Sequence, residues 1–266
     1  MQTIASRQNP IVRAFRDLAR TPDLTGARLL LDGVHLVREA RAAGAEIEVA
    51  AIAASRSHGT GEDAAVARRL AADGVHVVSA TEQAFAAMSP VRTPSGIVAI
   101  VRRPPAHADQ ICAPPNAFVL VAVDVQDPGN LGSLVRAAEA GGATGVLVCG
   151  ASANPFSWKA VRGSMGSILR LPVACALTAD EAIRTMRARH GRIVAAAPRG
   201  GRDPDAVDWR GRVALLVGGE GPGLSEAALA AADDRVTIPM APRVESLNVA
   251  AAAAILVYAA RRQRRG

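Results

Sequence analysis

Three segments in the second half of the chain hold the residues able to do chemistry. The first, Asp124 to Arg136 (DVQDPGNLGSLVR), leaves an apolar run through a Pro128-Gly129 turn. Asn130 is of a type that caps helices, and Arg136 falls two turns further on, on the same helical face as Gly129 and Gly132. The second, Leu215 to Leu224 (LLVGGEGPGL), sets four glycines around Glu220. Glycine at that density means positive-φ turns or a very close approach of the backbone to something. The third, Ile238 to Val249 (IPMAPRVESLNV), leaves a strand at Pro239, and Ser246 or Asn248 opens an alanine-rich helix. The plain alternative makes Asn130, Ser246 and Asn248 helix caps and Arg136 a surface residue.

The glycine-rich segment excludes two familiar phosphate sites. A dinucleotide fingerprint follows the first strand of a βαβ unit, with an acid some 20 positions later, whereas here the loop follows a late strand and encloses its acid. A P-loop needs Gly-Lys-Ser/Thr, which is missing. No metal-ligating cluster is apparent, since Cys112, Cys149 and Cys175 are far apart and form no C-x-x-C pair. They read as buried thiols of a reducing compartment.

The segments need a scaffold, and the pattern supplies one. Strands are expected at Phe118–Val125, Gly145–Cys149, Arg192–Ala197, Val213–Gly218 and Arg235–Pro239, and their near-continuous Val, Ile, Leu and Ala suits a parallel sheet covered on both faces. Helical patterns fill Leu131–Ala140, Ala179–His190 and Leu247–Arg264. All three chemical segments then lie at the C-terminal ends of strands, where open α/β sheets bind ligands. The first third alternates Arg28–Leu31, Val34–Ala43, Val49–Ala54, Glu62–Ala72, Val75–Val78 and Gly96–Val101, which reads as a small α/β domain. Arg102–Pro115, with four prolines and no periodicity, reads as a linker. The expected division is 1–105, a linker at 106–117, and 118–266.

Half of the 266 residues are apolar, enough for two modest cores, and the formal net charge is +7. All basic residues but Lys159 are arginines, whose planar fork suits phosphate and stacks on bases. A G+C-rich genome would also favour arginine over lysine, but it does not explain the net charge. The closing Arg261, Arg262, Arg264 and Arg265 read first as a solvated helix end. Met1–Arg20 lacks the apolar core of a signal peptide, and the longest apolar run, Val249–Ala260, is too short to span a bilayer. A cytoplasmic protein without membrane contact is expected.

Together the three segments closely resemble the signature motifs of the SpoU (TrmH-like, SPOUT superfamily) RNA 2'-O-ribose methyltransferases. The resemblance covers Phe118 to Arg262, and Val161-Arg-Gly-Ser-Met-Gly166 is similar to the family's R-x-S-x-G segment. Ser6-Arg-Gln-Asn-Pro10 and the run from Gly96 are similar to the substrate-binding domain preceding many members, with Ser95 where members often carry Gln.

The resemblance implies a C-terminal parallel-sheet domain tied in a deep trefoil knot, S-adenosylmethionine as methyl donor, an RNA substrate with ribosomal RNA favoured over transfer RNA, and a homodimer. It implies Leu216, Gly218, Gly219, Ile238, Met240 and Leu247 around the donor. Asn130, Arg136, Glu220, Ser246 and Asn248 match the catalytic residues, Arg136 as an electrostatic stabiliser, Asn130 and Asn248 orienting it and the ribose, and Glu220 fixing the loop or pairing with an arginine. Gly218→Val is then expected to abolish donor binding with the fold intact. A non-catalytic RNA-binding module resembling a ribosomal protein leaves the glycine-rich loop without purpose, and a nucleotide-dependent oxidoreductase conflicts with that loop's position.

Overall fold

The computed structural model describes residues 1–221 and 223–264; Pro222 of the glycine-rich segment and Arg265 lie outside the described residues. In chain order the elements are β1 (Gln2–Ile4), α1 (Pro10–Arg20), β2 (Arg28–Asp32), α2 (Val34–Ala42), β3 (Glu46–Ala53), α3 (Ala54–Ser57), α4 (Glu62–Ala72), β4 (Val77–Ala80), α5 (Glu82–Met88) and β5 (Ile97–Arg102). They continue with α6 (Ala108–Cys112), β6 (Phe118–Val123), α7 (Pro128–Gly141), β7 (Gly145–Cys149), α8 (Trp158–Gly163), β8 (Val173–Leu177), α9 (Ala179–Arg187), β9 (Arg192–Ala196), β10 (Val213–Gly218), α10 (Glu226–Ala230), β11 (Asp234–Val236) and α11 (Val249–Arg264).

Two compact units form. Met1–Pro104 and Phe156–Arg170 make the first, and Pro105–Pro155 with the chain from Leu171 onward make the second. The first holds a five-stranded mixed sheet in the order β1-β4-β3-β5-β2, with β5 antiparallel to both neighbours. Helix α1 starts because the Asn9 side chain accepts from the Ile11 N–H and Pro10 occupies the first turn, where its missing N–H costs nothing. It buries Val12 and Phe15 in a core shared with Leu30, Val49, Val98 and Ile100. Helix α8 packs on β2. The Phe156 ring lies where Gly26 would carry a Cβ, 2.4 Å from that position, and Glu39 fills the space beside Gly166. The R-x-S-x-G segment is therefore built into the first unit, through packing that no local sequence signal announces.

The second unit is a six-stranded sheet in the order β11-β9-β10-β6-β7-β8, every pair parallel. β6 and β7 are buried along their whole length, as their unbroken apolar runs suggest. Val119, Val121 and Val123 face one core with Ile111, Ala182 and Met186. Phe118, of the opposite parity, meets Trp209 edge-on at 6.1 Å and lies under the Arg264 guanidinium.

Several elements differ from expectation. The proline-rich stretch carries α6, whose Ile111 and Cys112 join the second core. Strand β8 was not foreseen, because a five-residue run with one β-branched residue gives little period. Helix α9 ends at Arg187, short of His190, which takes φ 56°. The final strand stops at Val236 and the final helix starts at Val249, each inside its expected bounds.

Helices α7 and α11 meet where Gly141 faces Val257, and a Cβ on Gly141 would lie 2.0 Å from Val257 Cγ1. In an open helix Gly→Ala adds stability. Here Gly141→Ala is expected to destabilise by about 1–3 kcal/mol through overpacking, read as a lower urea midpoint at unchanged slope.

Candidate active site

Because the sheet is parallel, the ends of β6, β10 and β11 fall on one edge, and the three chemical segments leave from it. Beyond β6 the chain turns sharply at Asp124, a non-glycine residue at φ 56°. The Ala151 N–H donates to Asp124 Oδ1 at 2.7 Å, and the Val125 N–H donates to Ser152 Oγ at 3.0 Å, so the turn is held from the end of β7. Asp127, not Asn130, caps α7: its Oδ1 accepts from the Asn130 N–H at 2.7 Å, with Pro128 in the first helical turn. The Asn130 side chain is thereby released from capping.

The glycines beyond β10 serve two purposes. Gly221 and Gly223 take φ values of 100° and 70°. Gly218 and Gly219 are needed for proximity. A Cβ on Gly219 would lie 1.9 Å from the Asp124 carbonyl oxygen, and one on Gly218 2.4 Å from backbone atoms of Gly223 and Leu224. A side chain at Gly218 would thus displace the loop itself, so the expectation that Gly218→Val spares the local fold is corrected.

The polar residues converge through one chain of hydrogen bonds. Asn248 caps α11, its Oδ1 accepting from the Ala250 N–H at 3.0 Å and the Ala251 N–H at 3.3 Å. That capping fixes the Asn248 amide, so Nδ2 donates to Asn130 Oδ1 at 3.0 Å. Asn130 must then present its own Nδ2, which donates to Glu220 Oε1. The helix cap dictates the orientation of both amides and ends on a carboxylate, which only accepts. Asn130 and Asn248 therefore orient each other and Glu220, rather than Arg136. Glu220 pairs with an amide, not an arginine.

Beside this chain lies a cavity of about 480 Å³, bordered by Glu220, Ser246 and Asn248. Gly218, Gly219, Ile238, Met240 and Leu247 line it. Leu216 does not: it is fully buried with Ala214 in the core facing α9. The wall also takes Ala196, Pro198, Val217, Leu229 and Leu256, ordinary apolar residues that carry no sequence signal of a site. Arg136 stands apart on the exposed side of α7, with no hydrogen bond or ion pair among the described residues. It lies six positions beyond Asn130, about 120° around the helix and roughly 9 Å along it.

A family model described as the SpoU rRNA Methylase family matches residues 117–258, and one described as the MRM3-like substrate binding domain matches residues 9–99. The 23S rRNA (guanosine(2553)-2'-O)-methyltransferase of Bacillus subtilis is 30% identical over 97% of this chain and 98% of its own. Among solved structures, the AdoMet-bound rRNA methyltransferase of Sinorhizobium meliloti matches with TM-score 0.83 and 29% identity, over 98% of this chain and 97% of that one. The SpoU methyltransferase AviRb of Streptomyces viridochromogenes, in complex with AdoMet, matches with TM-score 0.84 and 28% identity, over 97% and 99%. With its signature loops gathered at one sheet edge around one cavity, the chain belongs to the SpoU rRNA Methylase family.

Proposed function

We propose that this protein transfers a methyl group from S-adenosylmethionine to a ribose 2'-hydroxyl of ribosomal RNA. The observation that carries the reading is the cavity at the sheet edge, walled by the second and third loops and tied to the first by the Glu220–Asn130–Asn248 chain. Its volume lies within the ~300–1,000 Å³ range of small-molecule sites. Apolar side chains of Ile238, Met240, Leu247 and Leu256 with bare glycine backbone at Gly218 and Gly219 suit a ligand that is part nucleoside and part amino acid. Bound there, the donor supplies an electrophilic methyl on a sulfonium. The similar proteins carrying rRNA 2'-O-methyltransferase and AdoMet-bound names support both donor and acceptor.

The work left to the chain is positioning and electrostatics. Glu220, Ser246 and Asn248 form a polar rim at the cavity, held by the cap of α11. Arg136 is exposed and has no hydrogen bond or ion pair among the described residues, so it serves as a clamp for a phosphate next to the reacting ribose and as a stabiliser of the alkoxide that develops there. The trefoil knot belongs to the same reading. The chain leaves the sheet's outer strand β11, borders the cavity together with the glycine loop, and packs α11 on α7 and β10 towards the middle of the sheet. Homodimer formation is supported by the outer stripe of α11, where Ile255 and Tyr258 are 44% and 48% exposed in line with Ala251. Deleting residues 1–105 is a poor test of that dimer, since it would strip Phe156–Arg170 of its packing.

Four outcomes are expected. Incubation with methyl-labelled S-adenosylmethionine and ribosomal RNA should yield label in a 2'-O-methylnucleoside on digestion; label in a methylated base, or none, contradicts the assignment. Arg136→Ala should slow methyl transfer by roughly a hundredfold or more, with donor affinity by calorimetry nearly unchanged. Arg136→Lys should restore little if the planar fork is required. Ile255→Glu with Tyr258→Glu should turn the dimer into a monomer by light scattering; a monomeric parent protein would remove that part of the proposal.

A further inference from the structure

We propose that the first unit holds a second RNA contact, a phosphate-and-base site in the groove between α1 and α5. It rests on the RNA-substrate reading above. The groove encloses about 490 Å³ and is lined by Arg7, Arg16, Arg20, Ser89, Pro90 and Trp158. The Ser6–Pro10 motif builds one end of it. Asn9 caps α1, the burial of Val12 and Phe15 fixes the roll of that helix, and Arg16 and Arg20 then share one flank with Arg7 just before the cap.

Several other guanidiniums of the unit are held by carboxylates. Arg28 and Arg102 both meet Glu48, Arg38 meets Glu62, Arg41 meets Asp73 and Arg56 meets Asp63. In the groove, Arg20 has no hydrogen bond or ion pair among the described residues. Arg7 reaches only the Gln83 carbonyl, at 3.5 Å. Arg16 has Asp17 at 3.7 Å, and its Nε is buried without a hydrogen-bond partner. Three like charges lining one groove with a single carboxylate at 3.7 Å and one carbonyl at 3.5 Å, one of them with an unsatisfied buried donor, are costly until an anion accepts from them. Trp158 is half-buried, with Lys159 Nζ 5.6 Å from its ring centre, so the groove also offers an indole wall beside a further cation. Guanidiniums for a phosphodiester and an indole for an unstacked base match single-stranded RNA rather than free phosphate.

The test uses the full-length protein and a labelled oligouridylate. Trp209 is fully buried, so a change in tryptophan emission on binding reports Trp158. RNA should quench that emission, and added salt should release it. Arg16→Gln with Arg20→Gln should weaken oligonucleotide binding by about tenfold or more by anisotropy and lower the salt slope by about two. Arg20→Gln alone, at an exposed position, should show part of that loss, and Trp158→Leu should weaken binding by about fivefold or more. Adenosylmethionine affinity should be unchanged in all of them, which checks that they fold. Equal affinity and salt slope in the double variant would overturn the site, as would RNA binding that leaves the emission untouched. Inorganic phosphate that fills the groove without competition from RNA would overturn it too. Methyl transfer absent from the parent protein while quenching persists would defeat the enzymatic reading and leave this one standing.

Discussion

Two amide side chains and a carboxylate tie together the segments that follow three separate strands. The polarity of this connection is set at one end by the backbone N–H groups that open α11, which only an oxygen of Asn248 satisfies. From there each group has a single remaining choice, so Asn130 and Glu220 are oriented without direct help from the fold. The three residues are far apart in sequence, with Asn130 half-buried and Glu220 and Asn248 exposed. Their order therefore depends on the backbone beneath them being rigid.

That rigidity comes from contacts too close for side chains. Gly219 lies against the Asp124 carbonyl and Gly218 against the returning loop at Gly223 and Leu224, so the first and second segments pack backbone to backbone. Asp124 accepts a left-handed conformation to make the turn, and the end of β7 holds it there. Parallel strands buried on both faces deliver the segments to the same edge. Arginine chemistry is kept outside this framework: Arg136 on α7 has no hydrogen bond or ion pair among the described residues, which in the proposed function leaves its guanidinium open to a phosphate.

Much of this was legible in the residues, and the parts that were not share a cause. Strands β6, β7 and β10 announced themselves by unbroken Val, Leu and Ala, and the site by polar residues placed just past them. Asn130 is of a capping type, yet the cap of α7 is Asp127, as Pro128 in the first turn implies. The family resemblance puts Leu216 at the donor, but the strand's alternation sends it with Ala214 into the opposite core, and Val217 faces the cavity instead. The membership of Phe156–Arg170 in the first unit depends on a ring fitting over Gly26, a contact 130 residues distant in sequence that no local pattern encodes. Pairings set by long-range packing, such as Asn130 with Glu220 rather than Arg136, lay equally beyond reach.

Whether Asn130 and Glu220 act as one unit is measured directly by a double-mutant cycle on kcat/KM for methyl transfer. If each serves only to hold the other, Asn130→Ala with Glu220→Ala should be about as slow as the worse single variant, a coupling of roughly 1 kcal/mol or more. Losses that multiply, with no coupling between the two sites, would mean that the residues act independently and that the hydrogen-bonded chain is not what orders the site.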